Sequence, residues 1–456
     1  MLQSTKNAVC SNYAAISFSM IVMSDIRQAG HVFILGKNWK LSLAELLSYL
    51  HYQGCKFRLA SLSDFFVVLE IERLPSGMID DLGGTLKIGK VQSVMPSTIV
   101  VDAFVRREKQ ARTEIKSLLD ADHVTNQIFG AISDKFVFGV SVYPETRRLA
   151  RSSREMQRFF GSYFKNELAL QGTKAKFMGY PRRREFPQLT NVEVLKKELI
   201  EKSAEVLFCT GKEGAFVANT IAAHNPFEFQ KRDVGRPVQR RIFSMPPRLA
   251  RIMINLASSQ PRKVLLDPFC GVGTILQEVL LSKAQAIGVD ADPWCVKAST
   301  ANLEWLKKEH ALENAEYKVF VGDARSLRDQ IQEESVDCIV TEPELGPPLR
   351  DLPTDSYARK IVEKLEPLYD GFLKEAYKVI RTGGRVVFVT PYIRTRRGSF
   401  RSLNVEKMAS RIGFKTIAPF EVLAHDVWSE HFAKVSSVVD IEERHKIGRE
   451  IHILQK

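Results

Sequence analysis

A chain of 456 residues with 45% apolar and 26% charged residues has the composition of a globular protein and is too long for one ordinary core, so we expect two or three domains. No apolar run reaches the ~18–20 residues of a membrane span, and six cysteines without a Cys-x-x-Cys pair argue against a structural zinc site and a disulfide framework. Both observations favour a cytoplasmic protein without a metal site.

The net charge of +13 is unevenly distributed along the chain. Residues 151–250 hold 19 basic and 10 acidic residues, whereas residues 301–350 hold 6 basic and 11 acidic ones. Such a concentration favours a polyanionic partner, because each neutralised phosphate releases counterions. Charge alone leaves a nucleic acid and a solvated face without a partner equally open.

Residues 1–30 are expected to form a disordered tail. The apolar stretch of residues 14–23 is short and is preceded by Lys6 alone, so we do not expect a cleaved signal. Organised sequence begins near His31. We interpret residues 1–22 as a loose tail or as sequence ahead of a true start at Met23.

Residues 31–95 predict a small α+β domain with strand, helix and strand in succession. The helix carries leucines at helical spacing, and Ser42 with Glu45 three residues later predicts its capped start. Gly54 predicts its end. Nothing in this stretch indicates catalysis.

Residues 100–225 predict a second α+β block. Residues 136–143 alternate as a strand does, and residues 154–170 and 192–202 have the apolar spacing of helices. The runs EVLFCTG and GAFVANTI, separated by two residues, predict a hairpin.

A run of three arginines lies inside this basic block, between two prolines, which predicts an exposed loop. A merely solubilising loop is the alternative, but the surrounding positive charge favours phosphate contact. The candidate contacts are Arg182, Arg183 and Arg184.

The pattern changes after a linker and entry helix at residues 226–262, which are rich in proline and charge at their start. Residues 263–456 alternate near-continuous apolar strands with helices. This alternation predicts a doubly wound, mostly parallel sheet. Sheets of this kind bind ligands beyond the carboxyl ends of their strands.

Four of these strands end in an acid: Asp267, Asp290, Asp323 and Glu342. The first acid is followed by a loop with two glycines that opens a helix. A phosphate site is not indicated, because the third glycine of G-x-G-x-x-G and the G-K-[ST] signature are both missing. Acids suit an ammonium group, a ribose diol and an adenine amine, which S-adenosylmethionine combines. The alternative is that each acid merely caps the next helix, but four in series favour the cofactor.

Three stretches carry a resemblance to a known family: GRPVQRRIFSMPPRLARIMINLA, LLDPFCGVGTIL and TEPELGP. Together they resemble the THUMP-domain methyltransferases, and within these the tRNA guanosine-10 N2-methyltransferase family. The resemblance implies an α/β Rossmann-like methyltransferase domain at residues 263–456. It also implies an α+β ferredoxin-like domain at residues 31–95 and a THUMP-like RNA-binding domain at residues 100–225.

The resemblance further implies which residues hold S-adenosylmethionine. The first acid and the glycine loop would hold its methionine end, the second acid the ribose, and the third the adenine edge. The implied cofactor-binding residues are Asp267, Phe269, Gly271, Gly273, Thr274, Asp290, Asp323 and Ala324.

Glu342 and Pro343 match the first two residues of the family's Asp/Asn-Pro-Pro-Tyr-type motif, which implies that they are catalytic. An exocyclic base amine is a poor nucleophile because its lone pair delocalises into the ring. A carboxylate and a backbone carbonyl that accept its N–H groups aim the lone pair and favour the developing positive charge. Whether the released proton passes to Glu342 or to solvent stays open.

The motif departs from the family pattern after its second residue. Glu344 replaces the second proline, and Leu345 replaces the aromatic residue, so a stacking contribution of ~1–3 kcal/mol per base is missing. Tyr392, expected just after the fifth strand, would supply a ring or simply pack. Glu344 would read the Watson–Crick edge of guanine or face solvent.

These features predict methyl transfer to N2 of a guanosine in tRNA, with tRNA as the partner and the base extruded from its stack. Eukaryotic relatives work with a small zinc-binding subunit, and the sequence leaves open whether this chain needs one. Two alternatives remain: methylation of adenine or cytosine in DNA, and an RNA-binding protein with a degenerate site. The tRNA position and the number of methyl groups also stay open.

Overall fold

The computed structural model describes Ile26 and residues 29–130, 135–180, 187–201, 204–240, 245–258, 263–423, 428–432 and 434–456. Most of the expected N-terminal tail and the arginine triplet at 182–184 therefore lie outside the described residues. The chain forms two compact units. Unit 1 comprises the residues up to Trp39, Cys55–Asp80 and Thr85–Pro226, and unit 2 comprises Lys40–Gly54, Asp81–Gly84 and Phe227–Lys456.

The strands are β1 (Gly30–Leu35), β2 (Phe57–Leu62), β3 (Phe66–Ile71), β4 (Thr85–Met95), β5 (Phe136–Pro144), β6 (Ala175–Phe177), β7 (Glu205–Thr210), β8 (Ala215–Ala223), β9 (Val264–Asp267), β10 (Gln285–Asp290), β11 (Tyr317–Val321), β12 (Val336–Thr341), β13 (Ile380–Arg394), β14 (Phe400–Arg401), β15 (Lys415–Thr416), β16 (Val438–Asp440) and β17 (Ile447–Gln455).

The α-helices are α1 (Trp39–Tyr52), α2 (Met78–Asp81), α3 (Ser97–Val101), α4 (Lys109–Ala121), α5 (Val124–Phe129), α6 (Arg147–Ala150), α7 (Ser153–Leu170), α8 (Asn191–Lys196), α9 (Pro226–Val234), α10 (Pro247–Ala257), α11 (Thr274–Leu281), α12 (Pro293–Glu309), α13 (Asp355–Val379), α14 (Val405–Ile412) and α15 (Ser429–Phe432). None of the helices within the described ranges combines the length and the apolar character that a membrane span demands.

Unit 1 is built on one eight-stranded sheet in the order β2-β3-β1-β4-β8-β7-β5-β6. The pairs from β2 to β7 are antiparallel, and β5 runs parallel to both β6 and β7. The predicted hairpin is confirmed as β7 and β8. The predicted boundary between residues 95 and 100 falls inside this unit, because β4 pairs with β8 along most of its length.

A buried ion pair joins the two halves of that sheet. Lys87 Nζ on β4 lies 2.5 Å from Glu205 Oε1 on β7, and both side chains are almost fully buried. The hydroxyls of Ser141 and Thr220 donate to the same carboxylate at 2.6 Å. A buried ion pair costs more in desolvation than it returns unless further hydrogen bonds support it, and here the two hydroxyls support the carboxylate and the Leu189 carbonyl supports Lys87.

One helix of unit 1 is shorter than its sequence predicts. The expected helix at residues 192–202 is only α8, because the chain turns at Lys197 and Glu198 adopts a left-handed φ of 52°. By contrast, α7 confirms the helix expected at residues 154–170, and it buries Met156, Phe160 and Phe164 against the sheet.

Unit 2 is built on a sheet in the order β11-β10-β9-β12-β13-β17-β15. The strands from β11 to β13 are parallel, and β17 is antiparallel to β13 over nine residue pairs. Counted from β9, the parallel part has the doubly wound order 3-2-1-4-5. The chain reverses direction across the sheet between β9 and β12, and ligands bind at such a switch point.

Helix α1 belongs to unit 2 although it lies near the start of the chain. It begins three residues before Ser42, so the predicted cap is wrong. The carboxylate of Glu45 is fully buried instead and accepts from the amides of Gly83 and Gly84 and from Asn255 Nδ2, at 2.6–2.8 Å. Hydrogen bonds to residues distant in the chain therefore determine the position of Glu45, and the local capping pattern does not.

Candidate functional site

A cavity of about 470 Å³ in unit 2 opens beyond the carboxyl ends of β9, β10 and β12. Because these strands are parallel neighbours, the residues that follow them converge on one edge of the sheet. The predicted site residues on its wall are Asp267, Phe269, Gly271, Thr274, Asp290, Glu342, Pro343, Glu344 and Leu345.

The loop between β9 and α11 is shaped by two glycines. Gly271 has a φ of 52°, and a Cβ placed on it would meet no atom within 4 Å. Gly273 has a φ of 85°, and its Cβ would lie 2.5 Å from Ser299 Oγ. Gly273 therefore allows α11 to begin close to α12, and Gly271 leaves open space on the cavity wall.

The first strand ends in a buried carboxyl group. Asp267 Oδ1 accepts from the Thr341 hydroxyl at 2.6 Å and from the Phe269 amide at 3.2 Å. Burial, with smaller contributions from the negative charges of Asp290 and Glu342, raises the pKa of Asp267 to about 7. A cation beside this group would favour its charged form.

Asp290 organises the glycine loop from the end of β10. Its Oδ2 accepts from the Gly271 amide at 2.8 Å, and its Oδ1 accepts from the Asp292 amide at 2.9 Å. Thr274, the first residue of α11, is held from outside the loop, because Arg236 Nη1 donates to its hydroxyl at 2.6 Å.

Glu342 follows β12 directly and forms a two-point ion pair with Arg449 of β17. Arg449 Nε donates to Oε1 at 2.5 Å and Nη2 to Oε2 at 3.4 Å. The two side chains are 14% and 19% exposed, so the pair remains accessible from the cavity. Pro343 is buried beside it and stiffens the chain at this point.

The loop after Pro343 is held by a tyrosine beneath it. The fully buried Tyr369 hydroxyl donates to the backbone carbonyls of Glu344 and Val389, at 3.0 and 3.2 Å. The Glu344 side chain is exposed and Leu345 is half-buried at the cavity wall. Gly346 needs its left-handed φ of 102°, and a Cβ there would lie 2.8 Å from Ile361 Cγ2.

Four predicted site residues among those the structure describes do not line this cavity, and one of them, Gly273, lies within the glycine loop but faces Ser299 rather than the cavity. Tyr392 lies within β13 rather than after it, and its ring stacks on Phe400 with centroids 4.4 Å apart. Asp323 pairs with Arg325, a contact that holds the pKa of its carboxyl below the usual range. Ala324 is buried in the hydrophobic core of unit 2.

Several cavity residues were not predicted from the sequence: Arg240, Met245, Cys270 and Arg449. Arg449 lies about a hundred residues after Glu342, on a strand that no motif marks. Nothing in the local sequence singles it out, because Glu450 and His452 are further polar residues of the same strand. In the part of the chain that the structure describes, no group of three or more His, Cys, Asp or Glu side chains could hold a metal ion.

Comparisons with protein families match two stretches of the chain. Residues 237–415 match the family described as UPF0020, RMKL-like, methyltransferase domain. Residues 151–301 match the family described as DNA methylase. The first match contains every cavity residue on β9, β10 and β12, whereas the second ends before Glu342.

Curated relatives match the same region. The tRNA (guanine(10)-N2)-dimethyltransferase of Methanothermobacter thermautotrophicus is 35% identical over 160 residues, which are 34% of this chain and 42% of that protein. A probable tRNA (guanine(10)-N2)-dimethyltransferase of Methanothermococcus thermolithotrophicus is 31% identical over 140 residues, 30% of this chain and 82% of that protein. The chain spans about half the length of the other curated relatives it matches.

The strand order, the glycine loop and the acids at the switch point define unit 2 as a Rossmann-like methyltransferase domain. The fold is also that of TrmN from Thermus thermophilus, which covers 94% of this chain and 99% of its own at 17% identity, with a TM-score of 0.50. The chain belongs to the family of the tRNA (guanine(10)-N2)-dimethyltransferases.

S-adenosylmethionine is the methyl donor of this class, and the cavity suits it. The open space at Gly271 admits a ligand close to the backbone. The buried Asp267 carboxyl, which has two hydrogen-bond donors and no cation in contact among the described residues, provides a counter-charge for an ammonium or a sulfonium.

Proposed function

We propose that this chain methylates the exocyclic N2 amine of guanosine 10 in tRNA. The single observation that supports the proposal most is that Glu342 lines the same cavity as the glycine loop and Asp267. An acceptor for an amine and a counter-charge for a cationic donor are thus within one site. The names of the curated relatives supply the base, the atom and the position.

In this proposal the cofactor lies against the β9–α11 loop. Asp267, Gly271, Gly273 and Thr274 hold its methionine end, and Phe269 lines the pocket. Asp290 binds the ribose hydroxyls. Its two oxygens already accept from the Gly271 and Asp292 amides, so the hydroxyls either add to these hydrogen bonds or replace them. The adenine role of Asp323 and Ala324 requires Asp323 to leave Arg325.

When bound, S-adenosylmethionine supplies an electrophilic methyl group. Glu342 and the Pro343 carbonyl accept the two N–H groups of the amine and hold its lone pair toward that methyl. The carboxylate also stabilises the positive charge that develops on nitrogen. Glu344 and Leu345 contact the base from the loop that Tyr369 holds in place.

Unit 1 is proposed to bind the tRNA, with the THUMP-like block at residues 100–225 contacting the phosphate backbone. Arginines on and after α6 are exposed, as phosphate contacts must be: Arg147, Arg148, Arg151 and Arg158. Contacts of this kind position a nucleic acid without reading its sequence. Guanine N2 is not reachable in a stacked helix, so the base is extruded.

The test is mass spectrometry of nucleosides from tRNA incubated with the protein and S-adenosylmethionine. We expect N2-methylated guanosine, with Glu342→Gln lowering kcat about 100- to 1,000-fold while cofactor affinity changes little. Glu421→Gln is the matched control, because Glu421 also pairs with an arginine, Arg385, but lies outside the cavity. Unmethylated tRNA, or full activity in Glu342→Gln, would contradict the proposal.

A second candidate is amino methylation of DNA, which the match of residues 151–301 to the DNA methylase family favours. Methyladenine or methylcytosine in DNA treated in parallel would support it. We favour tRNA because the DNA methylase match excludes Glu342, whereas the match of residues 237–415 includes it. Binding of tRNA without any methyl transfer would indicate an RNA-binding protein with a degenerate site.

A further inference from the structure

The Glu342–Arg449 pair leaves hydrogen-bonding capacity on both partners. Each oxygen of the carboxylate accepts one bond from the guanidinium and has a further lone pair. The guanidinium uses Nε and one N–H of Nη2. Its Nη1 has no hydrogen-bond partner among the described residues. The pair therefore offers the cavity two acceptors and, next to them, unused donors.

In number and type, these free acceptors and donors match the Watson–Crick edge of one base. Guanine presents two donors in a row, N2–H and N1–H, followed by the acceptor O6. Adenine presents an acceptor at N1 beside its amine, and cytosine presents an acceptor at N3 beside its amine. Either of these acceptors would face the carboxylate and repel it.

Resting on the proposed function, we infer that Arg449 is a specificity-determining residue, which donates to guanine O6 while Glu342 accepts from N2–H and N1–H. The charged pair recognises guanine as a unit and rejects the other amino bases. A buried or half-buried polar site discriminates strongly against an analogue that leaves its groups unpaired. Stacking on an aromatic ring tolerates every base, so discrimination has to come from contacts to the base edge.

The position of Arg449 supports this role over a purely structural one. It stands opposite Pro391 in the register of β17 with β13, and β13 separates it from β12, so its long side chain reaches across a strand to meet Glu342. Near Glu342 lie the carboxyl group of Asp267 from β9 and the neutral hydroxyl of Tyr369 from α13, which is also close to Glu344. Arg449 is thus the one cation among the described residues that contacts Glu342.

The experiment compares two synthetic tRNAs, with guanosine or with 2-aminopurine at position 10. 2-Aminopurine keeps the amine but lacks N1–H and O6. We expect the wild-type protein to favour guanosine in kcat/KM. Arg449→Met should lower that ratio about 10- to 100-fold, the effect of losing a hydrogen bond to a charged group, by slowing guanosine far more than 2-aminopurine.

Three controls separate the explanations. Arg449→Lys keeps the positive charge but loses the two-pronged guanidinium, so its ratio of kcat/KM values should fall between those of the wild type and Arg449→Met. It also replaces Arg449→Met as the test variant if that protein does not fold. Arg240→Met removes another cavity arginine and should leave the ratio unchanged. Melting temperature and tRNA affinity are measured for each variant.

If kcat/KM falls by the same factor on both tRNAs, Arg449 only positions Glu342; if kcat/KM is unchanged on both, Arg449 does not contact the base. Either result overturns the inference and leaves the proposed function intact. A wild-type protein that methylates neither tRNA overturns the proposed function, and the inference with it.

Discussion

Asp267 illustrates how burial sets the chemistry of a single side chain. It is 2% exposed, and among the described residues its donors are the Thr341 hydroxyl and the Phe269 amide. Burial raises its pKa to about 7, so its charged form is costly until a cation arrives. The sequence places an acid at this strand end but does not show that no lysine or arginine of the described residues pairs with it.

Asp267→Asn is expected to weaken cofactor binding at least 10-fold and yet to stabilise the free protein at pH 8. The folded pKa is higher than the unfolded one, so the carboxyl group contributes stability at low pH that is lost as pH rises through about 7. The advantage of Asn should be about 3 kcal/mol smaller at pH 5 than at pH 8. Thermal unfolding at both pH values checks this, and parallel pH profiles would contradict it.

Glu342 could be predicted as a site residue from the sequence, whereas Arg449 could not. Glu342 is recognisable because it ends a strand in a motif. Arg449 is not, because its contact depends on which strand lies beside β13. Side-chain pairs across a sheet follow from strand order, and local sequence carries no record of that order.

At the scale of elements, the β9–α11 loop contains two glycines, each required for a different physical reason. Both have left-handed φ values, but only Gly273 is crowded, by Ser299 on α12. The sequence predicts the loop, since two glycines after a strand indicate close backbone approach. It does not predict which glycine packs against a helix.

Gly273→Ala is therefore expected to destabilise the protein by roughly 2–4 kcal/mol, from left-handed strain and the clash with Ser299 Oγ. Adding Ser299→Ala should recover part of the loss. Gly271→Ala, in open space, should cost only the strain of about 1–2 kcal/mol while lowering cofactor affinity. Chemical denaturation and cofactor titration measure both, and equal destabilisation by the two alanines would refute the distinction.

β13 shows the limit of predicting an element from its own residues. The run VVFVTP predicts a strand that ends before Tyr392, because proline removes a ladder donor. Pairing with β17 instead continues to Ile393, and Tyr392 packs on Phe400. The neighbouring strand, which follows some fifty residues later, decides where this one ends.

At the scale of the whole molecule, the methyltransferase domain is not one continuous stretch. Residues 40–54 and 81–84 pack with unit 2, where Ser48 and Tyr52 donate to the backbone carbonyls of Asn255 and Ala257. Helix α10 is consequently buried along nearly all its residues. A chain that starts at the linker would expose this face.

Glu45→Ala is expected to destabilise unit 2 by about 3–5 kcal/mol, because it leaves the Gly83 and Gly84 amides without their acceptor and Asn255 Nδ2 with the Asp81 carbonyl alone. A fragment of residues 227–456 should be less stable still or insoluble. Thermal unfolding with and without cofactor measures both. Glu70→Ala, at a partly exposed ion pair with Arg58, is the control and should cost less than 1 kcal/mol.

Replacing Arg147 and Arg148 together by alanine should weaken tRNA binding and lower the slope of log affinity against log salt by about 2, if each contacts one phosphate. Catalytic turnover at saturating tRNA should change little. The control replaces Lys308 and Lys318, which are exposed within the acidic stretch of the chain. Affinity measured over a series of salt concentrations decides the outcome, and identical slopes in both variants would exclude these arginines as contacts.

The sequence by itself determined the alternation of strands and helices in residues 263–456, the acids that end the strands and the glycine loop between the first pair, because periodicity, turn residues and motifs are local properties. Only the tertiary structure decided that α1 completes the methyltransferase unit, that Asp323 and Tyr392 lie outside the cavity and that Arg449 pairs with Glu342. Those outcomes depend on contacts between residues far apart in the chain, and the free energy of such contacts arises from packing and desolvation that no single segment encodes.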